Sequence, residues 1–300
     1  ALSTVLLFLS IIPLANAVVI GRLNLDGSGA EVLLSVLDER VGGIAIDRDQ
    51  GKMYWTSLFG PPSGGFIPAG PIKRANLDGT AVETLVTLTG AEGIALDRSN
   101  GHMYWASPIS GIGRANLDGT QVTDLGIPAG MPTGIALDEP PGFMYFTDDT
   151  NIKRANLDGS NVTDLVFTSE PAFAIDLDRD GNQIYWTSLG GNIWRSNFDG
   201  TNVVNLVTGL ANGGISLDVA TSVMYWTDDG NDKIQRGSLD GTNIVDLTTT
   251  VMGPVAIALD LEGGKIYFSA DAIVPLPPAV YLFGSGLVGL IGIARRKKAA

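Results

Sequence analysis

A unit of about 40 residues recurs six times along this 300-residue chain, and no other feature limits the possible folds so sharply. Each copy carries three landmarks in a fixed order, close to Ile-x-Arg-x-Asn-Leu-Asp-Gly, Gly-Ile-Ala-Leu-Asp and Met-Tyr-Trp-Thr. The Asp of the first falls at Asp26, Asp78, Asp118, Asp158, Asp199 and Asp240, in steps of 52, 40, 40, 41 and 41 residues. The Tyr of the third falls at Tyr54, Tyr104, Tyr145, Tyr185, Tyr225 and Tyr267, in steps of 50, 41, 40, 40 and 42. Two independent landmarks keep one period and share one long first step. A fixed period of this size means an array of supersecondary units that bury their apolar faces against one another.

Each unit reads as four short strands. In residues 93–125 they are Gly93 to Asp97, His102 to Ala106, Ile112 to Leu117 and Gln121 to Leu125. Gly, Asp and Pro punctuate the sequence every eight to twelve residues, which disfavours helical repeats. Asp-Gly pairs such as Asp78-Gly79 and Asp118-Gly119 predict two-residue type I′ turns, because those turns need positive φ. In the second strand, neighbours such as Tyr104 and Trp105 point to opposite faces, yet both are large and apolar. Both faces of the sheet are therefore covered, as in radially packed four-stranded blades. The third strand alternates better (Ile152, Arg154 and Asn156 against Lys153, Ala155 and Leu157), as expected nearer a rim. The expected fold is all-β: a six-bladed β-propeller of four-stranded antiparallel blades. The phase of the ends predicts its closure. Strands one and two of the last blade come from residues 254–270, and strands three and four from residues 19–37, which leaves no open edge.

The units resemble the YWTD propeller, the class B repeat of the low-density lipoprotein receptor family. The likeness covers about 255 residues and rests on Tyr54-Trp55-Thr56, Tyr104-Trp105-Ala106, Tyr145-Phe146-Thr147-Asp148, Tyr185-Trp186-Thr187, Tyr225-Trp226-Thr227-Asp228 and Tyr267-Phe268-Ser269. Only two copies keep the fourth-position Asp; Ser57, Ser107, Ser188 and Ala270 replace it elsewhere. The resemblance implies a six-bladed propeller that serves as a protein-binding platform outside the cell.

The ends carry a different signal. Residues 2–14 are apolar and lead to Ala15-Asn16-Ala17, a small-x-small cleavage site, so residues 1–17 read as a secretory signal peptide. Residues 18–273 form the propeller, and residues 274–300 a three-part tail. The tail runs Val274-Pro275-Leu276-Pro277-Pro278-Ala279, then a short apolar segment from Val280 to Ala294, then Arg295-Arg296-Lys297-Lys298. The apolar run is about the shortest that crosses a bilayer, and the basic cluster keeps its end cytoplasmic. This tail resembles the PEP-CTERM group of bacterial sorting signals in its Val-Pro-Leu-Pro-x-Ala variant. That resemblance implies an exosortase-type processing protease as one partner, transient anchoring in the inner membrane, and a final place on the cell surface or in the extracellular matrix.

Composition removes several function classes. Residues 18–274 hold 32 acidic and 15 basic side chains, a net charge of −17 that repels nucleic acid. Without cysteine there is no disulfide framework and no thiolate metal site. His102, the one histidine, stands where other units hold Lys52, Phe143, Gln183, Val223 and Lys265, so no Ser-His-Asp or Cys-His constellation is available. Asn161-Val162-Thr163 fits the glycosylation pattern but follows a turn.

One propeller face gathers the connections before each first strand and after each second strand. It is the candidate binding face, with Glu39, Glu92, Thr133, Glu170, Asn212 and the pairs Asp148-Asp149 and Asp228-Asp229. It also carries the long insertion from Leu58 to Pro71, with Phe59, Phe66 and Ile67. The Asp pairs offer oxygen ligands of the kind Ca²⁺ takes, but at no EF-hand spacing; no resident cofactor or metal is expected. The leading expectation is a non-enzymatic platform for an extracellular protein or glycan. One alternative is a Ca²⁺-dependent lactonase-like propeller enzyme, with Glu92 and Asn212 in its channel. The other is a structural matrix component.

Overall fold

The chain is described here by a computed structural model covering residues 17–273, apart from 38, 60–68, 88–89, 128–129, 211–212 and 249. Residues 1–16 and 274–300, where a leader and a sorting tail are expected, lie outside the described residues, as do Phe66, Ile67 and Asn212; Ala17 opens the first strand.

Repetition in sequence becomes repetition in space. Blade 1 consists of Glu39–Asp47, Lys52–Phe59, Ala69–Asn76 and Glu83–Val86. Blade 2 consists of Gly93–Asp97, His102–Ser107, Gly111–Asn116 and the short Thr123–Asp124. Blade 3 consists of Pro132–Asp138, Phe143–Asp148, Asn151–Asn156 and Thr163–Phe167. Blade 4 consists of Ala172–Asp178, Gln183–Ser188, Asn192–Asn197 and Val204–Thr208. Blade 5 consists of Ile215–Asp218, Val223–Asp228, Lys233–Ser238 and Val245–Thr248. Blade 6 closes the ring as its phase predicts: Ile257–Asp260 and Lys265–Ala270 are joined by Ala17–Asn24 and Glu31–Leu37. Val19 pairs with Ala270 and Asn24 with Lys265 across that junction. Pairing within every blade is antiparallel, and the first strands of neighbouring blades touch all the way round. A separate two-stranded ladder joins Val251–Met252 to Ala272–Ile273, and a single 3-10 turn occupies Asp229–Asn231. Among the described residues no helix is long and apolar enough to cross a membrane.

The core is divided among six seams, and the Met-Tyr-Trp segment explains how. Tyr54 of blade 1 packs with Met103 and Trp105 of blade 2, and Tyr104 with Met144 and Phe146 of blade 3. Tyr145 meets Ile184 and Trp186, Tyr185 meets Met224 and Trp226, Tyr225 meets Ile266 and Phe268, and Tyr267 meets Met53 and Trp55. Successive side chains of one strand thus serve two different seams. All of these aromatic residues are at most 4% exposed. Inner strands approach closely because glycine precedes the Ile-Ala step: a Cβ on Gly134 would lie 2.5 Å from the Phe173 carbonyl oxygen.

One local expectation is refined and one is corrected. The third strand is less buried than the second, as a place nearer the rim implies, but it is still covered from both sides. Ile152 and Ala155 are both buried, Ile152 against blade 4 and Ala155 against blade 2, because adjacent blades cover both sides this far out. The Asp-Gly turn is longer than a two-residue type I′ loop. Gly79 N donates to Asn76 O at 2.9 Å and Asn76 N to Thr80 O at 2.8 Å, so only Gly79 takes positive φ (84°). Asp78 instead accepts from Thr80 N at 3.0 Å and from its hydroxyl at 2.6 Å, an Asx-type turn that needs no left-handed Asp. Asp26, Asp118, Asp158, Asp199 and Asp240 repeat this arrangement with Ser28, Thr120, Ser160, Thr201 and Thr242. The chain then bends at a left-handed residue, one of Ala81, Gln121, Asn161, Asn202 or Asn243, before the outer strand. Asn161 is therefore a repeat-fixed turn position.

Candidate functional site

The first strands converge on a central channel enclosing ≈ 200 Å³, lined at its upper end by Gly42, Glu92, Thr133 and Phe173. Below them the third residue of Gly-Ile-Ala-Leu-Asp faces inward. Ala45, Ala95, Ala136 and Ala258 occupy that place in four blades, Asp176 and Ser216 in blades 4 and 5. Asp176 Oδ1 accepts from Leu177 N and Oδ2 from Leu217 N, both at 2.8 Å, so the carboxylate staples blade 4 to blade 5. Burial pushes its pKa up, against those amide bonds and Arg179. The repeat itself carried the signal for Asp176, as a departure from Ala at a fixed position.

The channel mouth is held by hydroxyls of the Tyr-Trp-Thr strand. Thr187 Oγ1 accepts from Ala174 N at 3.1 Å and donates to Gly213 O of the next blade at 2.8 Å. Thr56, Thr147, Thr227 and Ser269 donate likewise to Glu92 O, Phe173 O, Val255 O and Val41 O. Thr133 joins this network through Thr147 and Phe173 O.

Most acidic side chains of the candidate face are committed to the fold. Asp148 is buried between Lys153 Nζ (2.8 Å) and Met131 N (2.7 Å). Asp228 is buried beneath the Asn231 amide, at 2.9 and 3.0 Å. Glu170 Oε1 accepts from Asn192 at 2.6 Å and Trp194 at 3.1 Å, and Glu39 pairs with Lys73 at 2.7 Å. Asp149 is exposed in a left-handed turn. Phe59 ends its strand at the upper edge of blade 1. Neither Asp pair is thus brought together as a two-carboxylate site.

Another grouping takes their place. Glu92 lies at the channel mouth, where burial raises its pKa and the Arg40 charge opposes the rise. A Cβ on Gly253 would lie 2.8 Å from Asp271 Oδ2 and 3.3 Å from Asp229 Oδ1, so both carboxylates converge there, and Asp232 accepts from Gly253 N at 2.8 Å. Burial raises Asp229, reinforced by Asp271, and burial also raises Asp271; Arg40 opposes both. Asp271, Asp232 and Arg40 escape a sequence reading because they lie outside the three landmarks. Among the described residues no group of three or more His, Cys, Asp or Glu is arranged to hold a metal ion.

No protein-family model matches the chain, and no curated protein sequence does. Solved structures do match its fold. A chain of a nidogen/laminin complex is similar over 76% of this chain and 92% of that one, at 22% identity and a TM-score of 0.64. A protein described as TolB from Agrobacterium tumefaciens is similar over 86% and 99%, at 15% identity and 0.66. A gluconolactonase from Xanthomonas campestris is similar over 78% and 86%, at 15% identity and 0.62. Identities this low carry the six-bladed architecture and nothing finer.

Proposed function

We propose that this chain is a non-catalytic, protein-binding platform of the YWTD type, exported to the cell surface or matrix, whose acidic upper face takes a basic segment of its partner. One observation carries this reading: Glu92, Asp229 and Asp271 remain available on that face while Asp148, Asp228, Glu170 and Glu39 are used by the fold. The fold is shared with a chain crystallised in a nidogen/laminin complex, which is support of a coarser kind. The Ca²⁺-dependent lactonase reading needs several carboxylates turned into the channel. Of the described lining, only Glu92 and Asp176 are acidic, and both oxygens of Asp176 already accept backbone amides.

The test is calorimetric titration of the protein with an oligolysine peptide at low and physiological salt. Glu92→Gln combined with Asp229→Asn is expected to weaken binding about tenfold, a loss of roughly 1.4 kcal/mol. Asp180→Asn, in an exposed turn on the opposite face, should leave it unchanged. Equal loss in both variants would reduce the attraction to bulk charge and refute the site. A Ca²⁺-dependent rise in melting temperature would favour the enzyme reading instead.

A further inference from the structure

The lower ends of the seams differ at one position. The residue after the last Asp of each first strand is Arg48, Arg98, Glu139, Arg179, Val219 or Leu261 in blades 1 to 6. Two of the arginines turn back to the Asp of the preceding blade. Arg48 Nη1 lies 2.6 Å from Asp260 Oδ2, and Arg179 Nε lies 3.7 Å from Asp138 Oδ1 while its Nη2 donates to Leu137 O. In blade 3 an acid takes the place of the arginine. Glu139 turns back to Asp97 of blade 2, and Ser99 Oγ lies within hydrogen-bond reach of both carboxyl groups.

The geometry leaves that pair little else. Asp97 is 1% exposed, and its oxygens accept from Asn100 N and Asn100 Nδ2, each at 2.8 Å. Ser99 Oγ lies 2.8 Å from Asp97 Oδ1 and 3.3 Å from Glu139 Oε2, but one hydroxyl proton satisfies only one of them. Glu139 Oε1 is buried with no hydrogen-bond partner. Two buried carboxyl groups on one hydroxyl repel each other when both ionise, which favours a proton on one of them. The upper end of the same seam is also reduced: Ala106 stands where Thr or Ser bridges five other seams.

We propose that the seam between blades 2 and 3 is a proton-operated clasp, closed while Glu139 carries a proton and loosened when that proton leaves. Burial, then the hydrogen bond to Asp97 and the Asp97 charge, push Glu139 up to about 7, against Ser99 and Arg179. Burial acts against ionisation of Asp97 too, but bonds from Glu139, Asn100 and Ser99 hold it below the usual range. The other groups facing the pair are Tyr104 and His102 on blade 2, with Arg114 on Tyr104, and Asp138 and Arg179 behind it. His102 Nδ1 is 4.0 Å from Asp97 Oδ2. The strands that part, Gly93–Asp97 and Pro132–Asp138, lead up to Glu92 and Thr133 at the channel mouth, so the clasp also sets the spacing of those two.

The sign is fixed by linkage. Folded Glu139 holds its proton more tightly than the unfolded chain, so its contribution falls as pH rises from about 4.5 through about 7 and is gone above. The full chain and its Glu139→Gln and Glu139→Arg variants are melted between pH 5.5 and 8.5. The wild type should lose about 2–6 °C more than Glu139→Gln over that range. Glu139→Arg, which installs the Arg–Asp contact of two other seams, should melt highest at pH 8.5. Parallel curves for wild type and Glu139→Gln would overturn the proposal. Should the variants not fold, the Glu139 carboxyl carbon is followed by NMR in the wild type: a midpoint near 7 supports the clasp, and one near the ordinary value sinks it. Hydrogen-exchange protection corrected for pH should fall at this seam alone; a uniform fall across all six seams would also refute it.

Discussion

The Thr or Ser hydroxyl that directly follows the aromatic pair does two jobs, and that makes its removal costly. Thr187 Oγ1 satisfies the Ala174 amide in its own blade and the Gly213 carbonyl in the next, at 3% exposure. Thr187→Ala strands a donor and an acceptor together and should destabilise by about 1–3 kcal/mol, measured by denaturant unfolding. Thr187→Ser keeps the hydroxyl and should recover most of the loss. If both variants lose equally, the methyl group rather than the hydrogen bonds holds the site. The same bookkeeping explains the arginine of the third strand, whose guanidinium crosses to the next blade: Arg74 donates to Leu117 O at 2.9 Å and to Tyr54 Oη at 3.3 Å.

At the scale of the element, the strand Ala17–Asn24 is the closure. It pairs with Lys265–Ala270 on one side and Glu31–Leu37 on the other, and brings Ile20 and Leu23, both fully buried, to two different seams. Deleting residues 17–37 opens the edge of Lys265–Ala270 and uncovers Tyr267 and Phe268. The truncated chain should lose its cooperative melt and sediment as aggregate; a sharp, monomeric transition would show that five and a half blades suffice. This closure was legible in sequence because it depends only on the phase of the repeat, and so were the strand order and the double-sided burial of Tyr and Trp. The turns were misjudged because Asp-Gly was assigned by dipeptide, whereas the Ser or Thr that follows supplies the hydroxyl that decides the loop. The third strand's alternation placed it nearer the rim, whereas its cover from both sides comes from the neighbouring blades. At the candidate site, Glu92 and Asp229 were within reach of the repeat alignment. Asp271 and Arg40 were not, since their approach comes from tertiary placement. Asp148 and Asp228 read as free acids because their partners, Lys153 with the Met131 amide and Asn231, are set by the fold.

For the whole molecule, two sets of carboxyl groups pull stability in opposite directions along the pH axis. The turn residues Asp26, Asp78, Asp118, Asp158, Asp199 and Asp240 are held below the usual range, chiefly by the Ser or Thr hydroxyl and then by its backbone amide. Their contribution is complete above the ordinary value of 3.8 and is lost as pH falls through their depressed values. Burial instead raises Glu92, Asp138, Glu139, Asp176, Asp229 and Asp271, so the folded chain binds those protons more tightly than the unfolded one. Each of these costs stability as pH rises above 3.8 for Asp or 4.5 for Glu. The net charge of −17 over residues 18–274 adds self-repulsion at neutral pH that disappears as carboxylates protonate. The balance of these three effects places maximum stability on the acid side of neutrality, at roughly pH 4–5.5, lower than is usual for a globular domain. Melting from pH 2.5 to 9 should give a curve that falls steeply below the optimum and more gently above it. Added salt should raise the neutral limb by screening the surface charge while leaving the buried groups nearly untouched. A maximum at pH 7 or above would mean that the buried acids ionise in the folded ring at no cost, and both the arc around Arg40 and the clasp at Glu139 would lose their electrostatic basis.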